Sequence, residues 1–265
     1  CVEGALLDLW AKRHGRPLAD VLLPSDQATP LLRSLPVGTL IPNLRGKSLG
    51  EVASNLVGQG WRSLKVKVDG DVDLALERLR TIREWTGGRI ALRVDANGAW
   101  DADRAKSFVV RSRDLGLEFI EQPLPAGDLD GLAALRRQAT CPIAVDESVR
   151  TAADVGRIAG KQAADIVILK PMVLGGWRPT AQAARLAQSM GLEVVVTTFL
   201  DGAIGRALAS HMACALGCAG RAQGLATGDL LTHDLTDRPL TVRDGMIAFG
   251  DEPGLGIGDL LPEVI

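Results

Sequence analysis

Acidic residues end three successive apolar runs at almost equal spacing, and lysines stand one interval before and one after them. From Lys67 through Asp95, Glu121 and Asp146 to Lys170 the intervals are 28, 26, 25 and 24 residues. A strand, a loop and a helix need about that length, so the period reads as one βα unit per step. A chain built from such units is expected to close into a parallel barrel. The ends of its strands then converge on one mouth, where barrels of this kind do their chemistry.

Periodicity fills in the units. Short apolar or alternating runs predict strands at Leu35–Leu40, Ser63–Val68, Arg89–Asp95, Leu117–Glu121, Pro142–Asp146, Ala164–Lys170, Leu192–Thr197 and Gln223–Thr227. Between them, 3.6-residue periodicity predicts helices at Ser48–Leu56, Asp71–Trp85, Ala102–Leu115, Leu129–Gln138, Ala152–Gly160, Trp177–Met190 and Ile204–Leu216. Asp101, Asp128 and Thr151 stand where helix caps belong. The expected fold class is therefore α/β, a TIM-type barrel modified to (β/α)7β. Residues 35–228 would form the barrel and 229–265 a return segment with turns at Arg243–Gly245 and Pro253–Gly256. Residues 1–34 would be helices and a Pro-containing linker preceding it. The first helix carries Val2, Ala5, Leu6, Leu9 and Trp10 on one stripe with no preceding partner, which predicts a missing N-terminal segment.

A chain of 265 residues, 46% hydrophobic, can bury one large core. Its formal charge of −2 and pI near 6.0, with both signs interspersed, give no basic footprint for nucleic acid. No run approaches the ~18 apolar residues of a membrane span, and no signal peptide is visible. A cytoplasmic protein is expected, with homo-oligomerisation left open. Cys214 and Cys218 share a helix face without other ligand types nearby, so both read as core-filling thiols.

The strand ends carry the chemistry. A single acid after an apolar run reads most simply as a cap or a solvated charge; three at successive strand ends do not. Asp95, Glu121 and Asp146 are hard oxygen donors suited to Mg²⁺, with Mn²⁺ as the alternative, and zinc would call for His or Cys. Lys65 and Lys67 are two apart and point to the same side of their strand. Leu64, Val66 and Val68 need the other side, so the lysines face the barrel interior, where an amine is costly unless paired or used. A neighbouring ammonium, partial burial and a divalent cation would all draw Lys67 toward the range of a general base. Lys170 closes the sixth strand, roughly across the barrel.

The segments LKVKV (64–68), RVDANGAW (93–100), FIEQPLP (119–125), IAVDES (143–148) and VILKPMVLGG (167–176) resemble the enolase superfamily, in its muconate-lactonizing-type subgroup. The stretches 196–216 and 224–231 are most similar to o-succinylbenzoate synthases of menaquinone biosynthesis. The resemblance implies an enzyme, a carbon–oxygen lyase acting on a small carboxylate. Asp95, Glu121 and Asp146 would bind Mg²⁺, and Lys67 and Lys170 would flank the substrate, with a proton removed next to the metal-bound carboxylate. Lys65, Asn97 and Thr198 would contact substrate. Gly202 and Ala203, opening a helix, would offer free N–H groups to a second carboxylate. Two alternatives stand beside dehydration. One is racemisation or epimerisation of N-succinylamino acids or dipeptides by the same two lysines, against which only one acid, Asp229, appears in 228–231 where an Asp-x-Asp pair would hold an ammonium. The other is an inactive scaffold, because the family's N-terminal capping domain is largely missing.

Overall fold

The computed structural model describes residues 2–23 and 33–261. In chain order the helices are α1 (Val2–Arg13), α2 (Leu18–Leu22), α3 (Gly46–Gly58), α4 (Val72–Thr86), α5 (Ala102–Arg111), α6 (Leu129–Arg136), α7 (Ala152–Lys161), α8 (Pro171–Leu174), α9 (Trp177–Ser189) and α10 (Ala203–Ala215). The strands are β1 (Ser34–Pro36), β2 (Thr39–Leu40), β3 (Ser63–Lys67), β4 (Ala91–Asp95), β5 (Phe119–Glu121), β6 (Ile143–Val145), β7 (Ile166–Leu169), β8 (Glu193–Val196), β9 (Val242–Arg243) and β10 (Met246–Ala248). Strands β2 to β8 form a seven-stranded parallel sheet in sequential order, as a succession of βα units dictates. Of the Pro-containing linker expected over 29–35, residues 29–32 lie outside the described residues.

Two compact units are distinguished, one comprising Gly38–Ile168 and Arg185–Val194, the other Cys1–Val37, Leu169–Ala184 and Val195–Ile265. In the first, β5 and β6 are buried at every residue, as strands covered on both faces must be. Helix α4 shows how local chemistry sets the element ends. The Asp71 carboxylate accepts from the Leu74 N–H at 3.0 Å, and Gly87 ends the helix in the left-handed region. Leu76, Leu79 and Ile82 recur on its buried face. α3 lies against α4 so closely that a Cβ on Gly50 would sit 2.4 Å from the Trp85 ring. The caps expected at Asp101, Asp128 and Thr151 all form, Thr151 as a full capping box with Asp154.

In the second unit the expected strand Leu35–Leu40 is not continuous. β1 pairs antiparallel with β10, in a small sheet of order β1-β10-β9. Residues 39–40 form a separate strand, β2. The Asp244–Gly245 pair, both at positive φ, makes the tight turn of a β9–β10 hairpin, within the turn expected over Arg243–Gly245 of the return segment. Of the expected last strand 223–227, Gln223 and Gly224 make single parallel bridges to Val37 and Thr197. α8, a single turn begun by Pro171, was not foreseen. The apolar stripe of α1 is largely exposed: Val2, Leu6, Leu9 and Trp10 face outward, while Ala11 is buried and Leu7 packs beside Leu18 and Met212. Cys214 and Cys218 are buried thiols pushed up to about 12, chiefly by burial, which suits core filling.

His211 is a buried polar residue of this core with both ring nitrogens bonded. Its Nδ1 accepts from the Ala19 N–H and its Nε2 donates to the Leu255 carbonyl, each at 3.1 Å, and the ring lies 4.9 Å from that of Phe249. Burial pulls its pKa below the ordinary imidazole value, although the Leu255 carbonyl, Asp20 and Asp8 favour the proton. Protonation would turn Nδ1 into a donor facing a donor. The unfolded chain therefore binds this proton more readily than the folded one. Stability from this group is fully present above about pH 6.5 and is lost as pH falls toward the lower folded value. The expected result is that lowering the pH from 6.5 to 5.5 costs the wild type more urea midpoint than it costs His211→Gln, the opposing gain from Glu121 being common to both. An identical decline in the variant would remove His211 as its source.

Candidate active site

Register brings the first three chemical groups together. Lys67, Asp95 and Glu121 are direct partners across β3, β4 and β5, so their side chains emerge side by side at the strand ends. The end of β3 is fixed from outside by buried Arg78, which donates to the carbonyls of Lys67 (2.7 Å), Leu44 and Pro42 (both 3.2 Å). Glu121 is opposite Ala144, so Asp146 stands two residues further along the direction of β6 and on the same side of the sheet.

The Lys65 Nζ lies 2.9 Å from both Asp95 Oδ2 and Glu121 Oε1, and Lys67 Nζ lies 3.4 Å from Asp95 Oδ2. The two carboxylates are almost wholly buried, at 1% and 2% side-chain exposure, whereas Lys67 is 55% exposed. Burial alone would lower the Lys65 pKa, but Glu121 and Asp95 hold it well above the usual lysine value. Burial also opposes ionisation of Asp95, yet Lys65 and Lys67 keep it below the carboxylate range. Glu121 is pushed up to about 7, first by burial and then by the neighbouring Asp95 and Asp146 carboxylates, with Lys65 opposing.

The pocket of acids thus carries more negative charge than Lys65 balances. Among the described residues no three His, Cys, Asp or Glu side chains are gathered closely enough to chelate a metal ion as they stand. Instead the Lys65 ammonium supplies positive charge between two of the three. The donor chemistry nevertheless fits a hard divalent cation: three buried carboxylates on consecutive strand ends, one of them destabilised as an anion by its fellows.

Asn97 accepts from Lys67 Nζ at 2.8 Å through Oδ1 and donates from Nδ2 to Glu147 Oε1 at 2.8 Å. Its backbone N–H donates to Asp95 Oδ1 at 3.1 Å, and its φ of 45° is one that Asn tolerates better than most residues. Gln122, fully buried with φ of 38°, clamps the loop that carries Asp146. Its Oε1 accepts from the N–H groups of Asp146 (3.0 Å) and Ser148 (3.2 Å), while its Nε2 donates to Leu124 O (2.8 Å) and Ser148 Oγ (3.0 Å). Neither Gln122 nor Glu147 stood out in sequence, although Glu147 directly follows Asp146.

The remaining expected residues belong to the other unit. Lys170 precedes α8, and its Nζ sits 5.5 Å from the centroid of the exposed Phe199 ring. The Thr198 side chain is buried, with its hydroxyl 2.8 Å from that of Thr227. The N–H of Ala203, expected to be free for a substrate anion, donates to Asp234 Oδ1 at 2.6 Å. Asp234 is in turn held by Arg206 and the Leu235 N–H. A Cβ on Gly202 would come 2.9 Å from Leu235 Cδ1. The first turn of α10 therefore already has a carboxylate of the chain at Ala203.

Residues 48–258 match the family described as "Enolase C-terminal domain-like". The chain is 37% identical over 221 residues to the o-succinylbenzoate synthase of Thermobifida fusca, covering 82% of this chain and 67% of that one. It is 30% identical over 259 residues to muconate cycloisomerase 1 of Rhodococcus opacus, covering 97% and 68%. Among solved structures it superposes with TM-score 0.87 at 32% identity on a dipeptide epimerase from Methylococcus capsulatus, complexed with Mg and the dipeptide L-Arg-D-Lys. That likeness covers 98% of this chain and 72% of the epimerase. Fold, strand-end chemistry and relatives agree, and the chain belongs to the enolase superfamily, among the muconate cycloisomerases, o-succinylbenzoate synthases and epimerases.

Proposed function

We propose that this chain is a Mg²⁺-dependent lyase that eliminates water from a cyclohexadiene carboxylate bearing a succinyl side chain, giving o-succinylbenzoate. The observation that carries the reading is the exposed Lys67 amine beside a buried Asp95–Glu121 pair at adjacent strand ends. An exposed amine can reach a substrate, while the buried acids cannot be solvated and call for positive charge. Asp95, Glu121 and Asp146 would hold the cation, and the barrel of residues 35–228 would be the catalytic domain. When bound, Mg²⁺ supplies the positive charge that stabilises anionic substrate oxygens.

Lys67, as the neutral amine, takes the proton from the carbon next to the substrate carboxylate. The electron pair left behind expels the β-hydroxyl as the carbon–oxygen bond breaks. The resulting Lys67 ammonium returns its proton to the departing hydroxide, so one water leaves and the base is regenerated. Asn97 keeps Lys67 in place, and the ammonium of Lys170 is assigned to stabilising the developing negative charge.

A second reading shares the first step. The Mg-bound dipeptide epimerase is similar at 32% identity, which favours racemisation or epimerisation of an N-acylated amino acid, with Lys67 and Lys170 as alternating bases. Against it, Asp229 is the one acid in 228–231. The deciding experiment offers the cyclohexadiene substrate and an N-succinyl amino acid side by side, in D₂O, with and without EDTA. Dehydration suppressed by EDTA, well ahead of deuterium exchange into the amino acid, supports the lyase. The reverse order supports the racemase, and neither reaction would leave a binding scaffold.

A further inference from the structure

We infer that Glu147 is a positioning residue for Lys67, acting through the side-chain amide of Asn97. The inference rests on the proposed role of Lys67 as the base. The three side chains form a chain of hydrogen bonds, Lys67 Nζ to Asn97 Oδ1 and Asn97 Nδ2 to Glu147 Oε1, each 2.8 Å. An ionised carboxylate can only accept, so Glu147 takes the amide's NH₂ end and turns its oxygen toward Lys67. That orientation matters to a base. With Oδ1 facing it, Lys67 spends an N–H on Asn97 and keeps its lone pair for the substrate proton. With the amide reversed, Nδ2–H would donate into that same lone pair and block it.

Two further features fit a role beyond packing. The second oxygen of Glu147, Oε2, is buried without a hydrogen-bond partner, an arrangement that costs free energy and that an apolar or smaller residue would avoid. The Asn97 backbone is tied to Asp95 Oδ1 and held at φ 45°, so its side chain starts from a fixed point and the amide flip is the freedom left for Glu147 to remove.

The test compares Glu147→Leu, which cannot accept, with Glu147→Gln, whose Oε1 still can. The Leu variant is expected to lose about 10- to 100-fold in kcat, with KM changed less than about threefold, because the base is misoriented while substrate binding is untouched. The Gln variant should recover most of that loss. Asn97→Gly removes the intermediary at a φ glycine adopts freely, and adding Glu147→Leu to it should cost nothing more. A second readout does not need turnover: acetylation of Lys67 by acetic anhydride, relative to the exposed Lys47, should fall in the Leu variant, where the reversed amide occupies the lone pair, and stay at the wild-type ratio in the Gln variant. Equal losses in both Glu147 variants, an additive double variant, or an unmoved labelling ratio would overturn the inference. If the wild-type chain turns over neither substrate, the functional reading fails and the labelling ratio alone decides the positioning role.

Discussion

Replacing Lys67 with alanine is expected to lower the rate of α-proton removal by about 10²–10⁴-fold, the usual contribution of a positioned general base. The loss should appear equally in product formation and in solvent deuterium exchange, since both begin with the same proton. Structure should be spared. The Lys67 side chain is 55% exposed, and Asp95 keeps its closer partner Lys65 when Lys67 is removed. The Lys67 end of this 3.4 Å pair is in solvent, which screens its contribution to about 1 kcal/mol, so the urea midpoint should hardly move. Near-native turnover in Lys67→Ala would remove it from the role of base.

Lys65 is expected to behave in the opposite way, although it stands two residues away on the same strand. Its ammonium holds two carboxylates that are 1% and 2% exposed. Lys65→Met removes the cation and leaves both acids buried, a change that costs about 3–5 kcal/mol when one side of a buried ion pair is deleted. Equilibrium urea unfolding of the two lysine variants, side by side, measures the contrast. A loss under about 1 kcal/mol for Lys65→Met would show that the buried acids are neutralised in another way. The two lysines thus divide by environment: one is held between two buried acids, the other is half-exposed.

Sequence made part of this division legible. A period of two along 63–68 places both lysines on one side of β3, and Leu64 and Val66 are fully buried on the other. The near-equal spacing of strand ends put Lys67, Asp95 and Glu121 in register, and caps such as Asp101 and Thr151 begin helices as local chemistry requires. What stayed hidden depends on pairing over long separations. Nothing within reach of Ala203 in the chain shows that Asp234, 31 residues later, accepts its N–H. A one-dimensional pattern cannot say that Lys65 bonds Glu121, 56 residues away. The split of Leu35–Leu40 into β1 and β2 is set by partner strands remote in sequence, β10 for one and β3 for the other. The stripe of α1 illustrates the limit from the other side, because amphipathicity identifies an apolar face without saying what it packs against.

The most direct measurement of the account is isothermal titration of Mg²⁺ into the chain and into Asp95→Asn, Glu121→Gln and Asp146→Asn variants. The account predicts a single saturable site per chain, weakened or lost in every one of the three variants. No saturable binding, or binding indifferent to all three substitutions, would contradict it.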